Sequence, residues 1–130
     1  MLNFALVGCG RIAKRHSELL GFNEINGTKL VSVCDNVIDK ANKIAEQFKV
    51  SAYQDMDEMM KSESIDVVVV LTPSGLHAEH VINLSKYGKH LMVEKPMALT
   101  VEDTENMIYA CDVNNIKLFI IKQNRFNVPV

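Results

Sequence analysis

The sequence predicts an α/β fold: a doubly wound parallel sheet of six strands in the order 3-2-1-4-5-6, with helices on both faces. Three observations predict it. Short apolar runs alternate with segments of helical periodicity along the whole of the 130 residues. The strongest run, Asp66-Val67-Val68-Val69-Val70-Leu71, shows no polar alternation, as suits a parallel strand buried on both faces. The first strand opens at once into Gly8-Cys9-Gly10-Arg11-Ile12-Ala13, a sharp strand-to-helix turn. Strands joined through helices pair in parallel with right-handed crossovers, which leaves few arrangements.

Strand one is Leu2 to Val7, and a helix follows from about Arg11 to Gly21, where glycine can end it. Gly27-Thr28 turns into strand two, Leu30 to Cys34. Apolar positions 37, 38, 41, 44, 45 and 48 repeat with the helical period, giving a helix from Val37 to Phe48. Val50 to Tyr53 is a short third strand. Asp55 to Lys61 is a short helix that Asp55 can cap, with Met56, Met59 and Met60 facing the sheet. Strand four ends at Thr72-Pro73-Ser74-Gly75. A helix from Leu76 to Tyr87 stops at Gly88, and strand five runs from His90 to Glu94 before Lys95-Pro96 breaks it. Thr100 caps a helix through Val113, with Glu102, Asp103 and Glu105 near its positive end, and Lys117 to Lys122 is strand six.

Composition narrows the function. The length suits one domain with a real core. No apolar run approaches the roughly 18 residues of a membrane span. A formal charge of −2 gives no general case for nucleic acid or an acidic membrane surface. Residues 1–20 hold a strand and a glycine turn rather than a secretory signal, so a cytoplasmic protein is expected. Cys9, Cys34 and Cys111 are odd in number and widely spaced, which indicates neither a disulfide framework nor a zinc site.

In an open parallel sheet, ligands bind beyond the carboxyl ends of the strands. The unusual motifs all fall at such ends: Gly8-Cys9-Gly10, Asp35, Thr72-Pro73-Ser74, Glu94-Lys95-Pro96 and Gln123-Asn124-Arg125. The turn at Gly8, Gly10 and Ala13 suits a dinucleotide pyrophosphate. Gly8 permits the tight turn, Gly10 lets the backbone approach the phosphates, and Ala13 lets helix and strand pack. Arg11 and Ile12 open the helix whose N–H groups and positive end would face the anion. A packing role for the same small residues is the alternative. Asp35 lies 25 residues after Gly10, near the spacing of the acid that accepts from an adenine ribose. There it would favour NAD over NADP, and it could also cap the next helix. Lys95, in a crevice beside a cofactor, could move a proton; a Glu–Lys pair closing a turn is the alternative. His77 and His80 share a helix face, which could mean a metal. No third ligand stands nearby, so a loop-positioning role is expected for His77. His16 and His90 offer no catalytic case, and Lys40 and Lys43 read as a solvated helix face.

Taken together, Gly8-x-Gly10-x-x-Ala13, Cys34-Asp35, Thr72-Pro73-x-x-x-His77 and Glu94-Lys95-Pro96 followed by Met97-Ala98-Leu99 resemble the glucose–fructose oxidoreductase and inositol 2-dehydrogenase family, Gfo/Idh/MocA. The resemblance covers the whole chain, with Glu94-Lys95-Pro96 its most specific element. It implies a Rossmann domain for NAD(P) over residues 1–122, with 123–130 beginning a connection to an absent second domain that supplies the substrate pocket. It implies oxidation of a sugar, cyclitol or nucleotide-sugar hydroxyl, with Lys95 catalytic. Cofactor contacts are expected from Gly8, Cys9, Gly10, Arg11, Ile12, Asp35, Thr72, Pro73, Ser74, His77, Glu94, Lys95, Gln123 and Asn124. The residues from Lys122 to Asn127 look like the branch acting on nucleotide sugars. Alone, the chain is expected to bind NAD without turnover, and to self-associate through a face near Met97, Phe126 and Val128. A non-catalytic dinucleotide sensor stays open as an alternative. A methyltransferase stays open less well, because it gives Glu94-Lys95-Pro96 no role.

Overall fold

The computed structural model describes residues 2–10, 13, 15–18, 27–94 and 96–121. Its strands are β1 (Leu2–Val7), β2 (Thr28–Cys34), β3 (Ser51–Tyr53), β4 (Val67–Val70), β5 (His90–Glu94) and β6 (Leu118–Ile121). Its fully described helices are α1 (Ile38–Phe48), α2 (Met56–Ser62), α3 (His77–Ser85) and α4 (Val101–Val113). Ala13 and residues 15–18 are also helical and belong to the crossover after β1. The strands form one sheet in the order β3-β2-β1-β4-β5-β6, and every neighbouring pair is parallel. This is the Rossmann order that the alternation of elements predicts.

Two apolar layers sandwich the sheet. On one face Met59 and Met60 of α2, Val81 and Leu84 of α3, and Met107 and Cys111 of α4 pack with Val68 and Val70. On the other face Ala13 and the α1 residues Ala41, Ile44 and Ala45 pack with Leu6, Val33 and Val69. Val67 to Val70 are therefore buried without alternation. Each such valine contributes about 1.5–3 kcal/mol of burial before chain entropy opposes it.

Local chemistry sets the ends of the elements. Asp55 caps α2, its carboxylate accepting from the Asp57 N–H at 2.8 Å. Thr100 caps α4 in the same way, accepting from the Asp103 N–H at 3.0 Å. Gly88, at φ +72°, turns the chain between α3 and β5. Differences from the sequence reading are small but physical. Thr28 and Lys29 join β2 because β1 pairs with them at Leu2 and Asn3. The helix expected from Leu76 starts as a 3-10 turn over Ser74–Leu76 and becomes α-helical at His77. Asp35 does not cap α1: Val37 holds that position, and Asp35 Oδ1 accepts from the Val37 N–H at 2.8 Å, a local Asx turn. Met97, expected on an exposed face, is partly buried because it packs against the first apolar layer. Phe126 and Val128 lie outside the described residues.

Candidate cofactor site

The carboxyl ends of β1, β2, β4 and β5 open on one cleft of about 970 Å³. Gly8, Cys9, Gly10, Asp35, Thr72, Pro73, Ser74, His77 and Glu94 all line it. Parallel strands bring these residues to one end of the sheet although they span most of the chain. Arg11, Ile12, Lys95, Gln123 and Asn124 lie outside the described residues.

The two glycines of the first turn do different work. Gly8 sits at φ +100°, and a Cβ there would lie 2.8 Å from the Leu71 carbonyl carbon. The fold itself therefore requires glycine, since the β1 exit is held on both sides: the Gly8 N–H donates to Cys34 O at the end of β2 at 2.8 Å, and the Leu71 N–H, just past β4, to Val7 O at 2.7 Å. Gly10 is exposed, and a Cβ there would meet nothing within 4 Å. No neighbour among the described residues demands glycine at position 10; the bare backbone faces the open cleft. That is the feature a pyrophosphate needs if it is to approach main-chain N–H groups at a helix start.

Asp35 joins this turn to the end of β2. Its Oδ2 accepts from the Cys9 N–H at 2.8 Å, while its own N–H donates to Tyr53 O at 3.0 Å. Each carboxylate oxygen has capacity for a second donor, so Asp35 can hold the turn and still receive ribose hydroxyls. Asn36, Lys40 and Gln54 line the same end of the cleft. Lys40, expected on a solvated helix face, thus also borders the site. Burial, followed by the neighbouring Asp35 charge, pushes the Cys9 and Cys34 thiols up to about 12. Both are neutral packing groups at physiological pH rather than nucleophiles.

The far end is built from side chains. His77 is 1% exposed. Its Nε2 lies 2.8 Å from Thr72 O, and its Nδ1 lies 3.1 Å from the carbonyl oxygens of Pro96 and of Met97. Carbonyls only accept, so the ring donates, and it can donate on both sides at once only with a proton on each nitrogen. His80 Nδ1 lies 2.9 Å from the Thr72 hydroxyl, and burial lowers the His80 pKa. Among the described residues no cluster of side chains suits a metal ion.

His16 is the residue that sequence reasoning missed. Its Nε2 lies 2.5 Å from Glu94 Oε1, and the two side chains are only 17% and 6% exposed. The one available signal was position: His16 follows Ala13 by three, on the helix side that packs toward the sheet. Nothing in the spacing names a partner 78 residues away. His90 accepts from the Lys117 N–H at 3.0 Å and ties β5 to the start of β6.

Known proteins share this arrangement. A WlbA dehydrogenase from Bordetella pertussis, solved with NADH and UDP-GlcNAcA, superposes with a TM-score of 0.90 at 35% identity over 98% of this chain and 38% of its own. The scyllo-inositol dehydrogenase from Lactobacillus casei, solved with NAD(H) and scyllo-inositol, gives a TM-score of 0.88 at 26% identity over 98% of this chain and 38% of its own. The NADP(+)-dependent scyllo-inositol 2-dehydrogenase IolU of Bacillus subtilis is 30% identical over 97% of this chain and 38% of the enzyme. The chain thus spans well under half the length of each relative. The model of the oxidoreductase family with an NAD-binding Rossmann fold matches residues 2–121. By that match, and by a glycine turn, acid and cleft laid out to suit a dinucleotide, the chain belongs to the Gfo/Idh/MocA oxidoreductases and carries their NAD-binding domain.

Proposed function

We propose that the cleft binds NAD(H) in one orientation. The pyrophosphate lies on the turn from Gly8 to Gly10, the adenosine half toward Asp35 and Gln54, and the nicotinamide half toward Thr72, His77 and Glu94. The observation that carries this reading is the open face of Gly10 beside an acid that already organises the same turn. Asp35 selects NAD over NADP by accepting from the ribose hydroxyls and repelling a 2′-phosphate. Within a protein that also holds a substrate domain, the chain serves a dehydrogenase acting on a hydroxyl of a sugar, cyclitol or nucleotide sugar. NAD supplies the hydride acceptor when bound. The chain's own part is to hold and orient the dinucleotide and, through Lys95, to move the hydroxyl proton. The likeness to the WlbA dehydrogenase favours a nucleotide sugar.

Residues 1–122 form the cofactor domain in this reading, and 123–130 lead toward substrate-binding structure. No described helix is long and apolar enough to cross a membrane, and the reading places the protein in the cytoplasm. It also includes self-association. Val101, Tyr109 and Val113 of α4 and Phe119 and Ile120 of the edge strand β6 are exposed, and large apolar patches seldom stay bare. An NADH fluorescence titration of the 130-residue chain, run beside turnover assays on nucleotide sugars, tests the whole reading. We expect saturable NADH binding without turnover. Failure to bind removes the cofactor site, and robust turnover removes the need for a second domain.

A further inference from the structure

We infer that His16 and His77 are positioning residues which together brace the turn after β5, at Glu94 before position 95 and at Pro96 and Met97 after it. The inference rests on the cofactor reading above, in which that turn borders the nicotinamide half. The two contacts are independent of each other. His16, on the helix after the glycine turn, holds the Glu94 carboxylate at 2.5 Å on the chain-upstream side of Lys95. His77, at the start of α3, reaches the carbonyl oxygens of Pro96 and Met97 on the downstream side. Its other nitrogen reaches Thr72 O, so the exits of β4 and β5 are fastened by one ring.

Both contacts satisfy groups that would otherwise be costly. Glu94 is 5% exposed, and a carboxylate that dry needs a donor at hand. Removing His16 leaves it seeking water or another donor, and the end of β5 loses its tie to the helix. Pro96 has no N–H of its own, so the break after Glu94 cannot be closed by a ladder bond at that residue. The His77 ring instead holds the Pro96 and Met97 carbonyls from outside the strand. His77 is itself wedged, fully buried, between the two exits. A side chain with so little freedom transmits the position of one turn to the other. The braces therefore fix the backbone on both sides of the residue assigned the proton transfer. They also link it to the glycine turn through the helix that carries His16.

The test compares NADH with ADP-ribose, which lacks the nicotinamide, by calorimetry on the whole chain. His16→Ala and His77→Ala should each lower the NADH-to-ADP-ribose affinity ratio about tenfold or more, the loss expected for a buried bond to a charged or closure-critical group. His16→Gln, whose amide still offers a donor to Glu94, should restore most of the ratio. An unchanged ratio in both alanine variants overturns the inference. So does parallel loss of both ligands, which would make the histidines general supports of the fold. If the unsubstituted chain binds neither ligand, the cofactor reading falls first, and this inference with it.

Discussion

On its β1–β2 side the cleft is made by main chain; on its β4–β5 side it is made by side chains that arrive from distant elements. The first side consists of the turn from Gly8 to Gly10, the Cys9 N–H and one carboxylate, Asp35, all bonded across strands that pair directly. The second consists of His77, His80 and the His16–Glu94 couple, set around turns with no ladder of their own. The difference teaches where a sequence can be read. Backbone sites demand particular residue types at fixed spacings, because only glycine suits φ +100° and only a short acid reaches the neighbouring N–H. Side-chain sites demand only that partners meet in three dimensions.

The sharpest test of the backbone side sets its two glycines against each other. Gly8→Ala adds a Cβ at a positive φ and against the Leu71 carbonyl. We expect a loss of about 2–5 kcal/mol, combining left-handed strain with overpacking, seen as a lower thermal midpoint with or without cofactor. Gly10→Val places its Cβ where no atom of the described residues lies within 4 Å. It should leave the unfolding midpoint close to that of the parent while NADH titration shows no saturable binding. If the two variants behave alike, the assignment of one glycine to the fold and the other to the ligand collapses.

Much of the fold was legible for the same reason. The order of six strands follows from alternation and handedness, and Asp55, Thr100 and Gly88 mark element ends by chemistry that acts within a few residues. The nine described candidate residues could be assigned to one end of the sheet because strand direction alone puts them there, and all nine line the cleft. The His16–Glu94 contact was not legible. It needs a helix phase and a strand end that only the packed sheet brings together. The start of α1 was legible to within a residue, Val37 being expected and Ile38 observed with Val37 as its N-cap, but the Asx turn that Asp35 makes in place of a cap was not. Lys40 illustrates the converse: its position on a polar helix face was readable, but its place on the rim of the cleft was not.

Asp35→Ala probes the same backbone half more gently. The variant loses an acceptor for the ribose and also the carboxylate that holds the Cys9 N–H. Charge-assisted hydrogen bonds are worth about 1.5–3 kcal/mol, so NADH affinity should fall about 10- to 150-fold. Affinity for NADPH should fall less, because the repulsion of its 2′-phosphate is removed as well. Calorimetric titration with both cofactors reads the change. Equal affinities before and after substitution would take Asp35 out of the site and leave it a purely structural strut.

The smallest effect expected belongs to the side-chain half and depends on acid. Burial holds the His80 pKa below its ordinary value, the adjacent His77 adds to the lowering, and Glu79 partly opposes it. A depressed folded value means that the neutral ring is the one the structure favours. Its contribution to stability is complete above the unfolded value near 6.5 and fades as pH falls through the folded value. The neutral ring can accept from the Thr72 hydroxyl at Nδ1, whereas a charged ring cannot. Acidification should therefore loosen the Thr72 end before it disturbs the glycine turn. Unfolding midpoints measured from pH 7.5 to 5 should fall more steeply for the parent than for His80→Gln, which has no titrating group at that site. NADH should lose affinity over the same interval faster than ADP-ribose does. Parallel profiles for parent and variant would move the acid sensitivity elsewhere and make the two halves of the cleft respond to pH as one.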